Sequence, residues 1–485
     1  MKKYKLFSLV IWVCSSVVLF SGCKKYLDIA PPITTITTSE IFENDDQAEW
    51  AIAGMYSKMV NGTDGRPNNA ANNSFAAGAS TIAAGFSADD IVRSFGNDDL
   101  FRNRLLMAGN TFTQNIWLSA YKLIYDANGV IEGIQASSSE EFSKTARDQF
   151  TGEALALRAF AYFYLVNFFG DVPLPLSTDF NKTASLSRAP VTKVYDQIKT
   201  DLVKARSLLT DNFKIGKEEK IRVTKWFAEA LLARVYLYTG EYQQAITSAS
   251  AVIAMSDLFS IEPDLNKVFQ KNSTEAILQL KQTNENSSLK NATPEGFLLY
   301  HFPNGSGTPP SFYLSEPLLN AFEANDKRKT SWTKQDGAYV SVEKYKTGQW
   351  NGVFNAVQTE YYTVMRLAEL YLIRAEAQLL FSDANKDLAI ADLNELRQRA
   401  DVDNLPLTLS AGEVKEAIAH ERQVELFAEW GHRWFDLKRT GKAAAVLSQI
   451  SYKTPWYGNY QLLYPIPLNE IKYNNNLVQN PEYTQ

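Results

Sequence analysis

Residues 420–441 read HERQVELFAEWGHRWFDLKRTG. Val424, Phe427 and Ala428 recur at i, i+3 and i+4, which places them on one face of a helix. Gly431 interrupts the run. Trp434 and Phe435 follow, and Leu437 continues the apolar face. Gly441, just after Lys438 and Arg439, predicts a helix stop with cations near the negative end of the helix dipole. Large apolar side chains are usually buried, so Trp434 and Phe435 are expected in a core. Arg433 and Asp436, at i and i+3, are expected as a pair on the helix surface.

Moving outward, the same helical period returns many times. Ala48, Ala51, Ile52, Met55 and Met59 share a face in a helix predicted over 39–60, with Ser39 a candidate cap. Residues 61–79 are rich in Asn, Gly and Ala, lack a period and read as a long loop. A broad apolar stripe predicts a helix over 110–134. Residues 153–175, EALALRAFAYFYLVNFFGDVPLP, carry alanines at 154, 156, 159 and 161 that permit close helix approach, and Gly170, Pro173 and Pro175 stop that helix. Residues 191–209 are strongly amphipathic.

Ala233, Tyr236, Gly240, Tyr242 and Ala245 resemble a tetratricopeptide repeat, a helix–turn–helix unit of about 34 residues. Residues 366–399 resemble a second, degenerate unit with a longer turn at 382–386. A single such pair cannot bury its own apolar face, so the pairs must stack. Residues 271–362 form the largest insertion, rich in Asn, Gly, Ser, Thr and aromatics, with strand-like alternation over 339–345. The predicted fold class is mainly α: tetratricopeptide-like helix pairs forming a scaffold, with long loop and short-strand insertions.

The chain has 485 residues and a formal net charge of -5. Slight acidity without basic blocks argues against nucleic acid as a partner. His301, His420 and His432 do not make a metal-ligand spacing, and no phosphate loop or nucleophile elbow appears. Catalytic residues, cofactor and metal are all expected to be none. Asp89 and Asp90 are adjacent, point apart and are expected in a surface or structural role rather than acid–base work.

Residues 1–22 read as a signal peptide: three lysines by position 5, an apolar stretch over 6–20, then small residues. Cys23, directly after Ser21 and Gly22, resembles a lipobox cysteine, with Phe20 standing where such motifs carry Leu. The other cysteine, Cys14, lies in the leader. Residues 23–38, with Pro31, Pro32 and a Thr-rich run, read as a tether. No later apolar stretch is long enough to span a membrane.

Five patches carry a family resemblance. The first is residues 420–441, through Glu421, Arg422, Glu425, Phe427, Glu429, Gly431, His432, Arg433, Trp434, Asp436, Leu437, Arg439 and Gly441. The second is Leu157, Arg158 and Ala159 through Gly170, Asp171, Val172 and Pro173. The third is Pro465, Ile466, Pro467, Glu470, Ile471, Asn474, Asn480 and Pro481. The fourth is Trp117, Tyr121, Ile124 and Asn128, and Tyr26 to Pro32 matches the opening after the anchor. Together they resemble the SusD/RagB family of outer-membrane nutrient-binding lipoproteins. The resemblance implies one SusD-like domain over 39–485, with an N-terminal helical part over 39–270 and a C-terminal part over 271–485.

The resemblance also implies function. It points to a non-enzymatic, lipid-anchored and surface-exposed protein that captures an oligosaccharide or similar nutrient. The ligand would then be delivered to a SusC-like TonB-dependent outer-membrane transporter. A sugar offers apolar C–H faces and polar edges, which suit an aromatic platform flanked by Asn, Asp or Arg. Such platforms belong on loops rather than on helix stripes. That criterion selects Phe95 and Asn97, Phe312 and Tyr313, and Trp332 and Trp350 as candidate ligand contacts. Two other readings stay open: a surface glycosidase on a helical scaffold, whose paired carboxylates would be spatial rather than sequential neighbours, and a helical-repeat adaptor that binds only protein.

Overall fold

The computed structural model describes residues 41–62, 74–94, 99–106, 110–285, 288–301 and 310–483. The leader, Cys23 and the tether, and the candidate contacts Phe95 and Asn97, lie outside the described residues. In chain order the helices are α1 (Asp45–Asn61), α2 (Ser80–Ser87), α3 (Thr111–Ala136), α4 (Lys144–Phe169), α5 (Phe180–Thr183), α6 (Val191–Leu208), α7 (Lys225–Thr239), α8 (Tyr242–Ile253), α9 (Pro294–Leu299), α10 (Glu316–Ala321), α11 (Lys327–Trp332), α12 (Leu367–Phe381), α13 (Lys386–Arg399), α14 (Ala411–Leu426), α15 (His432–Arg439), α16 (Ala443–Leu447) and α17 (Leu468–Tyr473). The strands are β1 (Ile91–Arg93), β2 (Val172–Pro173), β3 (Arg188–Ala189), β4 (Ala276–Leu280), β5 (Phe312–Leu314), β6 (Thr333–Asp336), β7 (Tyr339–Val342) and β8 (Tyr362–Arg366). They form four two-stranded antiparallel ribbons, β1 with β5, β2 with β3, β4 with β8 and β6 with β7.

The fold is mainly α, as the sequence predicts. Helices α3, α4, α6, α7 and α8 pack each on the next, and α8 then packs on α12, which packs on α13 and α14. The two tetratricopeptide-like pairs, α7–α8 and α12–α13, are therefore separated in sequence but adjacent in space. Gly240 makes the first pair's turn in the left-handed region, at φ 78°. Arg234 on α7 and Glu369 on α12 lock the stack through two buried hydrogen bonds of 2.6 and 2.7 Å. Ala154, Ala156, Ala159 and Ala161 on α4 are fully buried, where their small side chains admit close neighbours. No helix of the described residues is long and apolar enough to cross a membrane.

The 420–441 stretch breaks before Gly431, so Phe427 and Ala428, expected on a helix face with Val424, lie in the break itself. Helix α14 ends at Leu426 and α15 begins at His432. Between them Ala428, Trp430 and Gly431 all adopt positive φ. Gly431 is required by space as well as by backbone: a Cβ there would stand 2.6 Å from the Ala84 Cβ on α2. Trp434 and Phe435 are buried, as expected.

The acidic residues of this stretch organise a buried ion network. Glu425 accepts hydrogen bonds from Arg328 at 3.0 Å, Arg366 at 2.6 Å and Arg399 at 2.5 Å. Glu429 accepts from Arg366 at 2.8 and 2.9 Å and from Lys344 at 2.5 Å. Glu421 accepts from Arg328, and Glu275 accepts from Arg366 and Arg399. Burial pushes the Glu425 carboxyl up, but the guanidinium groups of Arg399, Arg366 and Arg328 outweigh it and hold it well below the usual carboxylate range. Burying charges is costly unless each finds partners of good geometry, which this lattice supplies.

Several expectations need correction. Among the described residues helix α1 starts at Asp45, where the Asn44 side chain accepts the Gln47 N–H at 2.9 Å; the candidate cap Ser39 lies outside the described residues. Of the expected loop over 61–79, residues 75–79 form a fully buried π turn, and its continuation, α2, is a buried helix that no periodicity announced. Helix α4 begins earlier than expected, at Lys144, capped by Ser143. Arg433 does not pair with Asp436. It reaches Asp89, while Asp436 is held by Arg422 and Arg439. Asp89 and Asp90 are buried structural residues, not surface ones. Burial, with Asp89 alongside, pushes the Asp90 carboxyl up to about 7.

Candidate functional site

Ribbon β4–β8 closes the base of the large insertion, with Leu280 in register with Tyr362. From this base the chain presents a loop over 346–357 whose backbone is pinned at many points. Glu360 accepts the N–H groups of Lys346 at 2.6 Å and Thr347 at 3.0 Å. Asn351 accepts the Gly348 N–H at 2.7 Å and donates to the Lys346 carbonyl at 2.8 Å. Asn291 accepts the Val353 N–H at 2.7 Å. Gly348 lies against Tyr300, where a Cβ would come within 2.6 Å of the Tyr300 Cβ.

The result is an unusual surface. Trp350 is 66% exposed although the backbone on either side of it is fixed. Val353, Phe354 and Val357 on the same loop are also exposed. A loop whose backbone is already fixed leaves less ordering to be done when a ligand arrives, and it presents the indole to solvent. Asn351 is consumed by the loop itself rather than presented beside the indole.

A second aromatic group borders this loop. Tyr300 precedes His301, whose Nε2 lies 3.0 Å from the Asp336 carboxylate at the end of β6. Asp336 is in register with Tyr339, and the Tyr339 ring meets the Tyr313 ring edge-on at 5.0 Å. Tyr313 is half-buried on β5. Phe312, its neighbour, points to the other face and packs its ring 5.5 Å from Phe86. Phe312 therefore supports the core edge more than the surface.

Trp332 is a correction. Its side chain is fully buried, its indole N–H donates to the Leu265 carbonyl at 2.9 Å, and Lys344 lies 4.7 Å from its ring. It roofs the ion network and is out of reach of a ligand. Sequence reasoning missed Tyr339, His301, Asp336 and Phe354. Tyr339 carried a signal as the first residue of a strand-like alternation. His301 and Asp336 carried none, because only the fold brings them together.

Two family sequence models match this chain. One, described as starch-binding and associating with the outer membrane, matches residues 25–237, and the SusD family model matches residues 315–483. The chain belongs to the SusD/RagB family. It is similar to SusD-like protein P2 of Formosa agariphila, 26% identical over 538 aligned positions that cover 100% of both chains. It is similar to the starch-binding protein SusD of Bacteroides thetaiotaomicron, 34% identical over 129 residues, 25% of this chain and 21% of that one. Among solved structures, a SusD superfamily protein of Bacteroides vulgatus shares the fold with a TM-score of 0.76 at 20% identity, over 91% of this chain and 99% of that one. A laminarin-binding SusD-like protein does so with a TM-score of 0.72 at 25% identity, over 91% of this chain and 100% of that one.

The SusD/RagB signature residues of 420–441 serve architecture here. Glu421, Glu425 and Glu429 build the ion network, Arg422 and Arg439 hold Asp436, and Gly431 lets α15 approach α2. The exposed platform lies on the insertion, outside that signature.

Proposed function

We propose that this protein captures an oligosaccharide at the bacterial surface on the face carrying Trp350, without cleaving it. In this reading residues 1–22 are removed on export, Cys23 carries the lipid anchor, residues 23–38 tether the body, and a SusC-like TonB-dependent transporter receives the ligand. The observation that carries the reading is the exposed Trp350 indole on a hydrogen-bonded loop. A sugar's C–H face buries against such a ring, and the His301–Asp336 and Tyr313–Tyr339 pairs, linked to the loop through Tyr300 at Gly348, offer further contact and hydrogen bonding. The starch-binding and laminarin-binding relatives make glucans the first class to try.

The test is a glycan array followed by calorimetry with laminarin and starch oligosaccharides, with products analysed in parallel. Saturable binding with intact glycan, weakened at least tenfold in Trp350→Ala, is the expected result. Release of shorter products would favour a glycosidase instead. Co-purification of a transporter with the wild-type protein, lost in Cys23→Ala, tests the anchored partnership.

A further inference from the structure

A cleft of about 620 Å³ opens between the end of α4, the start of α6, helix α15 and the closing segment of the chain. Phe435, Leu463 and Val478 give it an apolar wall, and Lys438 and Arg188 stand on it as cations. Lys438 donates to the Asn167 carbonyl and makes no ion pair among the described residues. Burial alone, with no carboxylate opposing it, pulls its ammonium down to about 7. Arg188 spends its hydrogen bonds on neutral oxygens, the carbonyls of Asp171, Val478 and Phe169 and the Asn480 side chain.

The acid on this wall, Asp171, acts on Arg188 and leaves Lys438 without a carboxylate partner. Asp171 accepts the Val191 N–H at 2.9 Å and so caps α6. The remaining cation there, Arg439, is already matched by Glu376 and Asp436. The cleft thus sets two cations, Lys438 and Arg188, against one carboxylate, Asp171, in surroundings that make an unpaired ion costly. Its neutral polar groups are mostly occupied with one another. Asn167 donates to the Tyr195 hydroxyl at 2.9 Å, and Gln479 bonds the Ile466 backbone in both directions. Few donors are left for a ring of hydroxyls, which argues against a neutral sugar.

We propose that this cleft binds a small organic carboxylate, its anionic head against Lys438 and Arg188 and its apolar body against Phe435 and Leu463. The site is independent of glycan capture on the Trp350 face. Calorimetric titration of the full-length protein with sodium phenylacetate, its neutral amide phenylacetamide, and sodium sulfate tests it. Phenylacetate should bind saturably, at least tenfold tighter than the amide or sulfate, and Lys438→Met should remove that difference. Equal affinity for acid and amide would overturn the proposal without reference to any variant. So would sulfate binding as tightly as phenylacetate, which would mark an undiscriminating anion site. Unchanged phenylacetate affinity in a folded Lys438→Met protein would overturn it as well.

Discussion

Arg433 grips both carboxylate oxygens of Asp89, Nε to Oδ1 at 2.7 Å and Nη2 to Oδ2 at 2.8 Å. The bond ties α15 to the chain just before β1, across most of the sequence. Asp89→Asn removes one charge and leaves the mostly buried guanidinium without its bidentate partner. A destabilisation of about 3 kcal/mol is expected. Chemical denaturation measures it, and a loss under about 1 kcal/mol would show that Asp90 substitutes for its neighbour.

Glu425 is shared by Arg328, Arg366 and Arg399. Glu425→Gln keeps the shape but removes the charge on which those guanidinium groups converge. The expected cost is about 3–5 kcal/mol, the range for breaking a buried pair. It should appear as a lower denaturation midpoint, or as failure to accumulate folded protein. A midpoint equal to wild type would mean that Glu275 and Glu429 suffice.

Trp332 and Trp350 were equivalent in sequence and are opposites in space. Trp332→Ala empties a core site and should cost about 3–5 kcal/mol. Trp350→Ala removes an exposed ring and should change stability by less than about 0.5 kcal/mol while weakening glycan binding. Thermal melts and calorimetry of both variants check this. A reversed pattern would dismiss the Trp350 face as the platform.

Glu295 is buried, bonded to the Thr81 and Tyr362 hydroxyls, and forms no ion pair among the described residues. Burial pushes its carboxyl up from 4.5 to about 8. The folded protein therefore keeps a proton that the unfolded chain releases. Stability from this group is fully present below pH 4.5 and is lost as pH rises toward 8. Glu295→Gln should flatten the fall in stability between pH 5 and 8, seen in urea midpoints across that range. Asp90 contributes in the same direction, so part of the slope should persist. An unchanged slope in the variant would place the titration elsewhere.

The helical scaffold was legible because its signals are local. The stripe of 191–209 became α6, and Gly240 and Gly431 stand at the breaks their positions implied. Helix α2 was not legible. Every residue from Ser80 to Ser87 is buried, so no polar face gives it a period. The partners of Arg433 and Glu425 were invisible for a different reason: they lie far along the chain, and for Arg433 the i, i+3 spacing offered a nearer but wrong mate, Asp436. Within the site, exposure separated Trp350 from Trp332, and composition alone cannot report exposure.

The loop bearing Trp350 runs between two fixed posts. Lys344 is fastened to Glu429, and Tyr362 stacks on Trp430 with ring centres 4.8 Å apart and planes 13° from parallel. Doubling the length of a loop between fixed ends costs only about 0.6 kcal/mol. Descendants of this gene can thus lengthen, shorten or recolour the tip while the posts stay put. Selection on that segment then acts on what is caught, and selection on the posts acts on whether the protein exists at all.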